Sequence, residues 1–287
     1  MVWFKLFRPK QWAKNVLVFA APGAAGVLGD VDSLALTLLA FACFCMAASG
    51  TYCWNDALDA DEDRLHPTKC NRPIASGAIG VKPAMLVGTL LLSGAVALSF
   101  VADWHLAVVI GSYIVLTVAY SAWLKHEPVI DIAAVAAGFL LRAIAGGVAV
   151  DVDISTWFLI VAGAGSLFMV TGKRHAEILE LGDGAGAHRR ALTHYTLPYL
   201  AYVRGVATSV AIVAYVLWAF DVSSRAGNEV LFQLSIVPFV LGLLRYALLL
   251  ETGKGGAPEE VVLSDRVLQI IGLVWVVCFG LGVLGHS

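Results

Sequence analysis

Charged residues are scarce in this sequence of 287 residues, where Asp, Glu, Lys and Arg together make up only 14%. Soluble domains usually carry about 25% charged residues. Hydrophobic residues account for 59% of the chain, and the mean hydropathy is +0.82. Apolar runs of the length needed to cross a bilayer recur from one end to the other. The scarcity of charge excludes an ordinary soluble domain and predicts a polytopic membrane protein.

Several familiar motifs are missing as well. The five cysteines show no metal-binding spacing and the seven histidines are scattered, so a zinc or haem site is not expected. There is no P-loop, no Gly-x-Ser-x-Gly elbow, no His-Glu-x-x-His pair and no dinucleotide fingerprint. These absences exclude the common nucleotide-hydrolysing, serine-hydrolase, metalloprotease and dehydrogenase classes. A nucleic-acid partner is not expected.

What the sequence contains instead is a series of apolar segments separated by turn signals such as Pro128. They predict an all-α membrane protein with nine transmembrane helices. The predicted helices lie near 10–29, 33–55, 82–101, 104–123, 128–149, 155–178, 194–220, 230–250 and 262–285. We expect a single integral-membrane domain over 1–287, with cytoplasmic loops near 56–81 and 179–193.

The basic residues indicate the orientation. If the N-terminus is cytoplasmic, 15 of the 19 Lys and Arg lie in cytoplasmic segments or at cytoplasmic helix ends. They are Lys5, Arg8, Lys10, Lys14, Arg64, Lys69, Arg72, Lys82, Lys125, Lys173, Arg174, Arg189, Arg190, Lys254 and Arg266. The opposite face holds Arg225, beside several acids. This bias follows the positive-inside rule. Arg142, Arg204 and Arg245 fall inside predicted spans, where an arginine needs a partner or a polar cavity.

An acidic motif ends the second predicted helix. Asn55, Asp56, Asp59 and Asp63 follow the spacing Asn-Asp-x-x-Asp-x-x-x-Asp, and steps of three and four residues place the three acids on one helix face. Like charges at that spacing repel one another unless a cation lies among them. Oxygen ligands of this kind suit Mg²⁺, which proteins usually bind together with a substrate's phosphates. We therefore predict Asp56, Asp59 and Asp63 as catalytic residues and, with Asn55, as metal ligands.

Basic residues follow the acids and recur at other cytoplasmic helix ends. Lys69 and Arg72 come directly after the motif, where they can grip phosphate oxygens. Asp61 and Glu62 project elsewhere on the helix and are interpreted as solvated. The complete set of predicted substrate-binding residues is Lys14, Asn15, Lys69, Arg72, Tyr120, Lys125, Lys173, Arg174 and Glu177. For any single lysine in this set, a role in topology or lipid contact is an equally good interpretation.

The acidic motif and the following "HPTKCNRPIASG" resemble the UbiA superfamily of intramembrane prenyltransferases over essentially the whole chain. The resemblance implies nine helices around a central cavity, with Mg²⁺-diphosphate chemistry at its cytoplasmic mouth. It also implies a bacterial plasma-membrane protein whose N-terminus and active site are cytoplasmic. Membrane lipids surround such a protein, and small-residue helix faces are compatible with a homo-oligomer.

The sequence departs from ordinary members of that superfamily at the sixth helix. Those members carry a second Asp-rich motif there, whereas this chain reads "GKRHAE", with Lys173 and Arg174 in place of acids and Glu177 after them. Together with "RPKQWAKN" and "GFLLRAIAGG", this block resembles a subgroup of phosphoribosyltransferases that act on decaprenyl (polyprenyl) phosphate in arabinan synthesis for the cell wall. The resemblance implies 5-phosphoribose 1-diphosphate as the donor and a polyprenyl phosphate as the acceptor.

Three alternatives remain open at the level of the sequence, and one of them, a non-catalytic membrane scaffold, gives no reason for three Asp residues at helical spacing. An ordinary aromatic or quinone prenyltransferase uses the same fold with a prenyl diphosphate donor, but it predicts acids at the sixth helix. A membrane transporter predicts interrupted spans and acids at bilayer depth, whereas the acids of this chain gather at one mouth. The sequence does not indicate which basic pair holds the 5-phosphate of the donor.

Overall fold

The computed structural model describes residues 2–66, 68–181, 190–226, 229–252 and 258–284. Within these ranges every regular element is a helix and there is no strand, so the predicted all-α class is confirmed. Most of the predicted cytoplasmic loop near 179–193 lies outside the described residues, as do Pro67, Arg189 and Lys254.

The described residues form twelve α-helices, which we number in chain order. They are α1 (Val2–Phe7), α2 (Ala20–Ala24), α3 (Val31–Leu58), α4 (Ala60–Leu65), α5 (Val81–Ser99), α6 (Trp104–Ala122), α7 (Ile130–Ala149), α8 (Thr156–Leu181), α9 (Leu197–Ala226), α10 (Glu229–Glu251), α11 (Pro258–Ser264) and α12 (Arg266–Leu284). Eight of these, α3, α5 to α10 and α12, are long and apolar enough to cross a membrane. They coincide with the last eight predicted spans.

The first predicted span, 10–29, is not one continuous α-helix. The chain forms a 3₁₀-helix over Pro9–Phe19, then the short α2, then a 3₁₀ turn over Val27–Gly29. Pro22 has no N–H to donate, and Gly26 adopts a positive φ of 75° that ends the helical path. These breakers divide the segment into short pieces, which apolar periodicity alone did not reveal.

The chain divides into two compact units. One comprises Met1–Gly23, Val27–Ala122 and Leu141–Asp153, and the other comprises Ala24–Gly26, Trp123–Leu140 and Ile154–Ser287. The single domain expected over 1–287 stays a prediction.

The first unit is built around α3. Asp30 caps this helix by accepting a hydrogen bond from the Ser33 amide at 2.8 Å. Helix α5 packs closely on α3 because Gly50 and Gly88 face each other, and a Cβ on Gly50 would lie 2.9 Å from the Gly88 carbonyl oxygen. Helix α6 and the 3₁₀-helix complete the core, in which Phe44 is fully buried.

The second unit packs α8 on α9, α9 on α10 and α10 on α12. An aromatic cluster fills the space between the last three of these helices. Its members include Tyr215, Trp218, Phe232, Trp275 and Phe279.

Two of the three arginines predicted inside spans, Arg204 and Arg245, lie in the second unit, and both are paired. Arg204 contacts Glu251, and Arg245 donates to both oxygens of Asp265 at 3.2 and 2.7 Å. Pairing offsets the cost of a charge at these positions, as the sequence required.

Candidate functional site

The acidic motif is buried and paired with arginine. The Asp56 and Asp63 residues are only 2% and 3% exposed. Arg8 donates from Nη2 to Asp56 Oδ1 at 2.7 Å, while Arg72 donates from Nη1 to Asp56 Oδ1 at 3.2 Å and to Asp63 Oδ2 at 2.7 Å. One nitrogen of Arg72 thus joins the two carboxylates, which places them on a common face. We call these four residues the acid–arginine cluster.

The helix carrying the motif breaks within it. Helix α3 ends at Leu58, Asp59 adopts φ −86° and ψ 6°, and α4 begins at Ala60. The Asp59 amide still donates to the Asn55 carbonyl at 2.9 Å, and the Asp63 amide donates to the Asp59 carbonyl at 2.8 Å. These bonds keep the four-residue spacing across the break, so the motif retains nearly the phase that a continuous helix gives it.

One of the two arginines precedes the acidic motif in the sequence and the other follows it. Arg8 lies between α1 and the 3₁₀-helix in a left-handed backbone conformation, with φ 52° and ψ 60°, and its guanidinium lies 4.6 Å from the centre of the Tyr52 ring. Arg72 follows a short 3₁₀ turn in an extended conformation. Ile74, two residues after Arg72 and only 1% exposed, packs in the core and fixes the position of this turn.

The donor atoms of the motif fit a hard divalent cation. Asp56, Asp59, Asp63 and Asn55 offer carboxylate and amide oxygens, the ligands that Mg²⁺ prefers. Across the described ranges no three His, Cys, Asp or Glu side chains are grouped closely enough to hold a metal by themselves. Mg²⁺ in phosphate-transfer sites is usually held by one or two carboxylates plus the substrate's phosphates. The residues therefore fit a metal that a substrate helps to bind.

The other two acids of the stretch face solvent, as interpreted from the sequence. The side chain of Asp61 is 94% exposed and pairs with Arg64 one helical turn later, and Glu62 is exposed. Exposed pairs of this kind contribute little to stability.

A second polar cluster lies at the end of α8. Arg174, only 3% exposed, donates from Nε to the fully buried Asp131 at 3.1 Å and from Nη1 to Glu177 at 2.9 Å. Lys173 is 46% exposed and its Nζ lies 3.9 Å from the Glu177 carboxylate. Two carboxylates thus engage the Arg174 charge, whereas nearly half of the Lys173 side chain is exposed. We call these residues, with Tyr195, the Arg174 cluster.

Tyr195 supports this cluster from the segment before α9. Its hydroxyl donates to Asp131 and accepts a hydrogen bond from the Val129 amide at 2.5 Å. Val129 has a φ of 70°, a conformation that a β-branched residue rarely adopts. Burial, and then the hydrogen bond to Asp131, raise the pKa of Tyr195 well above its ordinary value. The phenol therefore stays protonated and holds both Asp131 and the turn before α7.

The first segment holds one exposed and one buried candidate. Lys14 donates to the Gln11 side chain at 2.5 Å in a half-exposed position. Asn15 is fully buried, accepts from Arg142 Nε at 2.7 Å and contacts Cys45 Sγ at 3.2 Å. The Asn15 amide serves an interior hydrogen-bond network, and its predicted substrate contact stays a prediction. Lys14 remains a candidate.

Arg142 is an internal tie between helices of the first unit. It is 8% exposed and donates to Asn15 and, from Nη2, to the Tyr113 hydroxyl at 3.0 Å. Its guanidinium also lies over the rings of Tyr113 and Phe44, at 4.7 and 5.5 Å. The surrounding aromatic faces and hydrogen bonds compensate for the burial of its charge.

Three further predicted residues are half-buried near helix ends. Lys69 lies in the 3₁₀ turn after the acidic motif, Tyr120 lies in the last turn of α6, and Lys125 lies in the 3₁₀ turn before α7. Their predicted contacts with substrate stay predictions.

Sequence reasoning left three structurally central residues out of the candidate set. Arg8 had a signal, since it stands in the basic stretch that resembles the phosphoribosyltransferase subgroup. Asp131 had a weaker signal as a lone acid at the start of an apolar span. Tyr195 had none, because only the fold brings it to Asp131 across 64 positions of sequence.

Comparison with known proteins places this geometry in context. The model of the UbiA prenyltransferase family matches residues 16–283. The chain is 48% identical over 285 residues to a decaprenyl-phosphate phosphoribosyltransferase from Corynebacterium glutamicum, covering 97% of this chain and 86% of that one. It is 42% identical over 284 residues to the protein of the same name from Mycobacterium tuberculosis, covering 97% and 93%.

The fold also matches that of a solved structure. A UbiA homolog from Archaeoglobus fulgidus bound to DMAPP and Mg²⁺ superposes with a TM-score of 0.73 over 100% of this chain and 99% of that one. The two sequences are 17% identical, so this likeness concerns the fold. That protein binds a divalent metal together with a diphosphate.

Proposed function

The chain belongs to the UbiA prenyltransferase family, and we propose that it is a Mg²⁺-dependent enzyme that transfers the 5-phosphoribosyl group from 5-phosphoribose 1-diphosphate to decaprenyl phosphate. Pyrophosphate is released, and the product serves as a precursor for arabinan in the cell wall. Support comes from relatives that bear this name and match nearly the whole chain. The observation that carries the proposal is the Arg174 cluster, which puts Lys173 and Arg174 where the resemblance implies a second acidic motif in ordinary members.

The acidic motif and its arginines are proposed to bind the leaving diphosphate. Asn55, Asp56, Asp59 and Asp63 would hold Mg²⁺, which when bound neutralises negative charge on the departing diphosphate. The acid–arginine cluster supplies two guanidinium groups beside these ligands, and guanidinium groups bind phosphate oxygens with paired hydrogen bonds. Asp59 is half-buried and its side chain makes no ion pair with any described residue, so it is available as a ligand without rearrangement.

Basic residues are proposed to bind the phosphates of the donor. We assign Lys173 to direct phosphate contact, because nearly half of its side chain is exposed. Arg174 holds its position through Asp131 and Glu177 and adds positive potential beside Lys173. Lys69 and Lys125 remain candidates for the other phosphate oxygens. A donor with three phosphate groups suits a protein that has exchanged carboxylates for cations at this position.

The lipid phosphate is proposed to act as the acceptor. A phosphate oxygen of the lipid attacks C1 of the ribose, the C1–O bond to the diphosphate breaks, and a C1–O bond to the lipid phosphate forms. The nucleophile is already an anion near neutral pH, so the reaction needs no general base. Lys14 is proposed to contact the lipid phosphate.

The protein is a multi-pass membrane protein, and we propose that it lies in a bacterial plasma membrane with the N-terminus and the active site on the cytoplasmic side. The distribution of basic residues supports this orientation. A water-soluble donor made in the cytoplasm would then reach the acidic motif directly. A homo-oligomeric state stays a prediction.

Purified protein with labelled 5-phosphoribose 1-diphosphate, decaprenyl phosphate and Mg²⁺ tests the proposal. We expect label to move into the lipid fraction and this transfer to stop when a chelator removes the metal. Failure with this donor, combined with transfer from a prenyl diphosphate to an aromatic acceptor, would instead support an ordinary prenyltransferase.

A further inference from the structure

The charges of the acid–arginine cluster balance. Asp56 and Asp63 contribute two negative charges and Arg8 and Arg72 contribute two positive ones, all within direct hydrogen-bond distance. Both arginines converge on the same oxygen, Asp56 Oδ1. The carboxylates are almost fully buried, whereas the arginine side chains are 30% and 28% exposed. The anions are therefore fixed inside, and the cations are the members that remain open to solvent.

Arg8 occupies this position with a strained backbone conformation. Its left-handed conformation is unfavourable for a residue with a Cβ, and such outliers concentrate at functional sites. The Tyr52 ring supports the guanidinium from one side at 4.6 Å. Neither contact buries Arg8 completely. The residue is therefore placed against Asp56 by the fold, with part of its side chain still exposed.

A divalent metal and these arginines compete for the same anions. A carboxylate already bonded to two guanidinium groups has little negative potential left to attract a free cation. A metal that arrives with a diphosphate changes this balance, because the phosphate oxygens offer the guanidinium groups new partners of the same kind.

We propose that Arg8 and Arg72 are exchangeable counter-ions of the acidic motif. They neutralise the two carboxylates while the site is empty of substrate, and they transfer to phosphate oxygens when metal and diphosphate bind together. This inference rests on the proposed function for the identity of the diphosphate. It makes metal and donor binding mutually dependent, since each lowers the cost of admitting the other.

The test measures Mn²⁺ binding to the full-length protein in detergent by electron paramagnetic resonance, with no donor present. We expect Arg8→Gln to bind Mn²⁺ at least about tenfold more tightly than the wild type, the size of effect that losing one charge-assisted hydrogen bond produces. The KM for 5-phosphoribose 1-diphosphate should rise by about tenfold in the same variant, because the phosphate loses a partner. A purely structural Arg8 would not tighten metal binding.

Two further variants make the result decisive. Arg64→Gln removes an arginine whose ion pair among the described residues is with the exposed Asp61, and its Mn²⁺ affinity should match the wild type. Arg8→Gly suits the positive φ of this position and should fold even if Arg8→Gln does not.

Unchanged or weaker Mn²⁺ affinity in both folded Arg8 variants would overturn the inference. Misfolding of both would do so too, because Arg8 would then be a structural tie. If Arg8→Gln gains metal affinity but the wild type transfers no phosphoribose, the inference stands and the proposed function fails.

Discussion

Replacing Gly146 with alanine tests whether the first segment must lie against α7. A methyl group at Gly146 would lie 1.7 Å from the Val18 carbonyl oxygen and 3.0 Å from Pro22 Cδ. Because Cβ atoms in proteins do not approach neighbours within 3.0 Å, the Val18 carbonyl would have to retreat by at least 1.3 Å. This obstacle is backbone within a packed 3₁₀-helix, which cannot turn aside as the tip of a long side chain can.

The expected cost is large for a single methyl group. Overpacking usually costs about 1–3 kcal/mol, and a backbone obstacle belongs at or above the upper limit. At about 2–4 °C per kcal/mol for a domain of this size, the Tm of Gly146→Ala should fall by roughly 6 °C or more. The displaced segment also carries Arg8 and Lys14. A shift of about 1 Å in a positioning group can lower the rate by about 100-fold, so kcat/KM should fall beyond the loss of folded protein.

Thermal melts of the detergent-solubilised protein and initial rates on the folded fraction measure the two effects. Gly111→Ala is the matched control, since Gly111 lies within α6 of the same unit and has no atom within 4 Å of an added Cβ. Its Tm should stay the same or rise, because alanine favours a helix by up to about 1 kcal/mol over glycine. Equal Tm and kcat/KM for both variants would refute the close packing of the first segment on α7.

The ion pairs and hydrogen bonds of the acid–arginine cluster and the Arg174 cluster predict how further substitutions change transfer and stability. Asp59→Asn removes a carboxylate without an ion pair, so transfer should be lost while the Tm stays near the wild-type value; near-normal turnover would contradict the metal assignment. Asp56→Asn should lose transfer and also about 2 kcal/mol of stability, because Arg8 loses its carboxylate partner and Arg72 keeps only Asp63, and melting curves separate these cases. Tyr195→Phe should destabilise by about 1–3 kcal/mol. Since the pKa of Tyr195 is raised, this difference should persist up to about pH 10 and shrink above it. Lys173→Gln should raise the donor KM without changing the Tm, whereas Arg174→Gln should lower the Tm by removing the arginine partner of the fully buried Asp131 carboxylate; the reverse pattern in kinetics and melts would contradict the assigned roles.

The features that follow a short-range rule were predictable from sequence. The apolar runs predicted nine spans, and eight of them are long helices, because spanning length depends on hydrophobicity alone. The spacing of Asp56 and Asp63 predicted a common face, and Arg72 now joins them there. The exposure of Asp61 followed from the same helical projection.

The features that depend on long-range geometry were not predictable in this way. The sequence suggested that bases would grip phosphates beside the acids, whereas the fold pairs Arg8 and Arg72 with the acids directly. A left-handed conformation at a non-glycine residue is what aims Arg8 at Asp56, and no composition rule announces it. The burial of Asn15 depends on Arg142, which lies 127 positions away in sequence.

A competition between the two donors tests directly whether the enzyme transfers phosphoribose or a prenyl group. Purified protein in lipid nanodiscs receives decaprenyl phosphate, an aromatic acid acceptor, Mg²⁺, 5-phosphoribose 1-diphosphate and a prenyl diphosphate together, and mass spectrometry identifies the lipid products. We expect 5-phosphoribose to be joined through C1 to decaprenyl phosphate, with pyrophosphate released in equal amount and no prenylated aromatic product. Prenylation of the aromatic acid, with the phosphoribosyl donor left intact, would contradict this expectation.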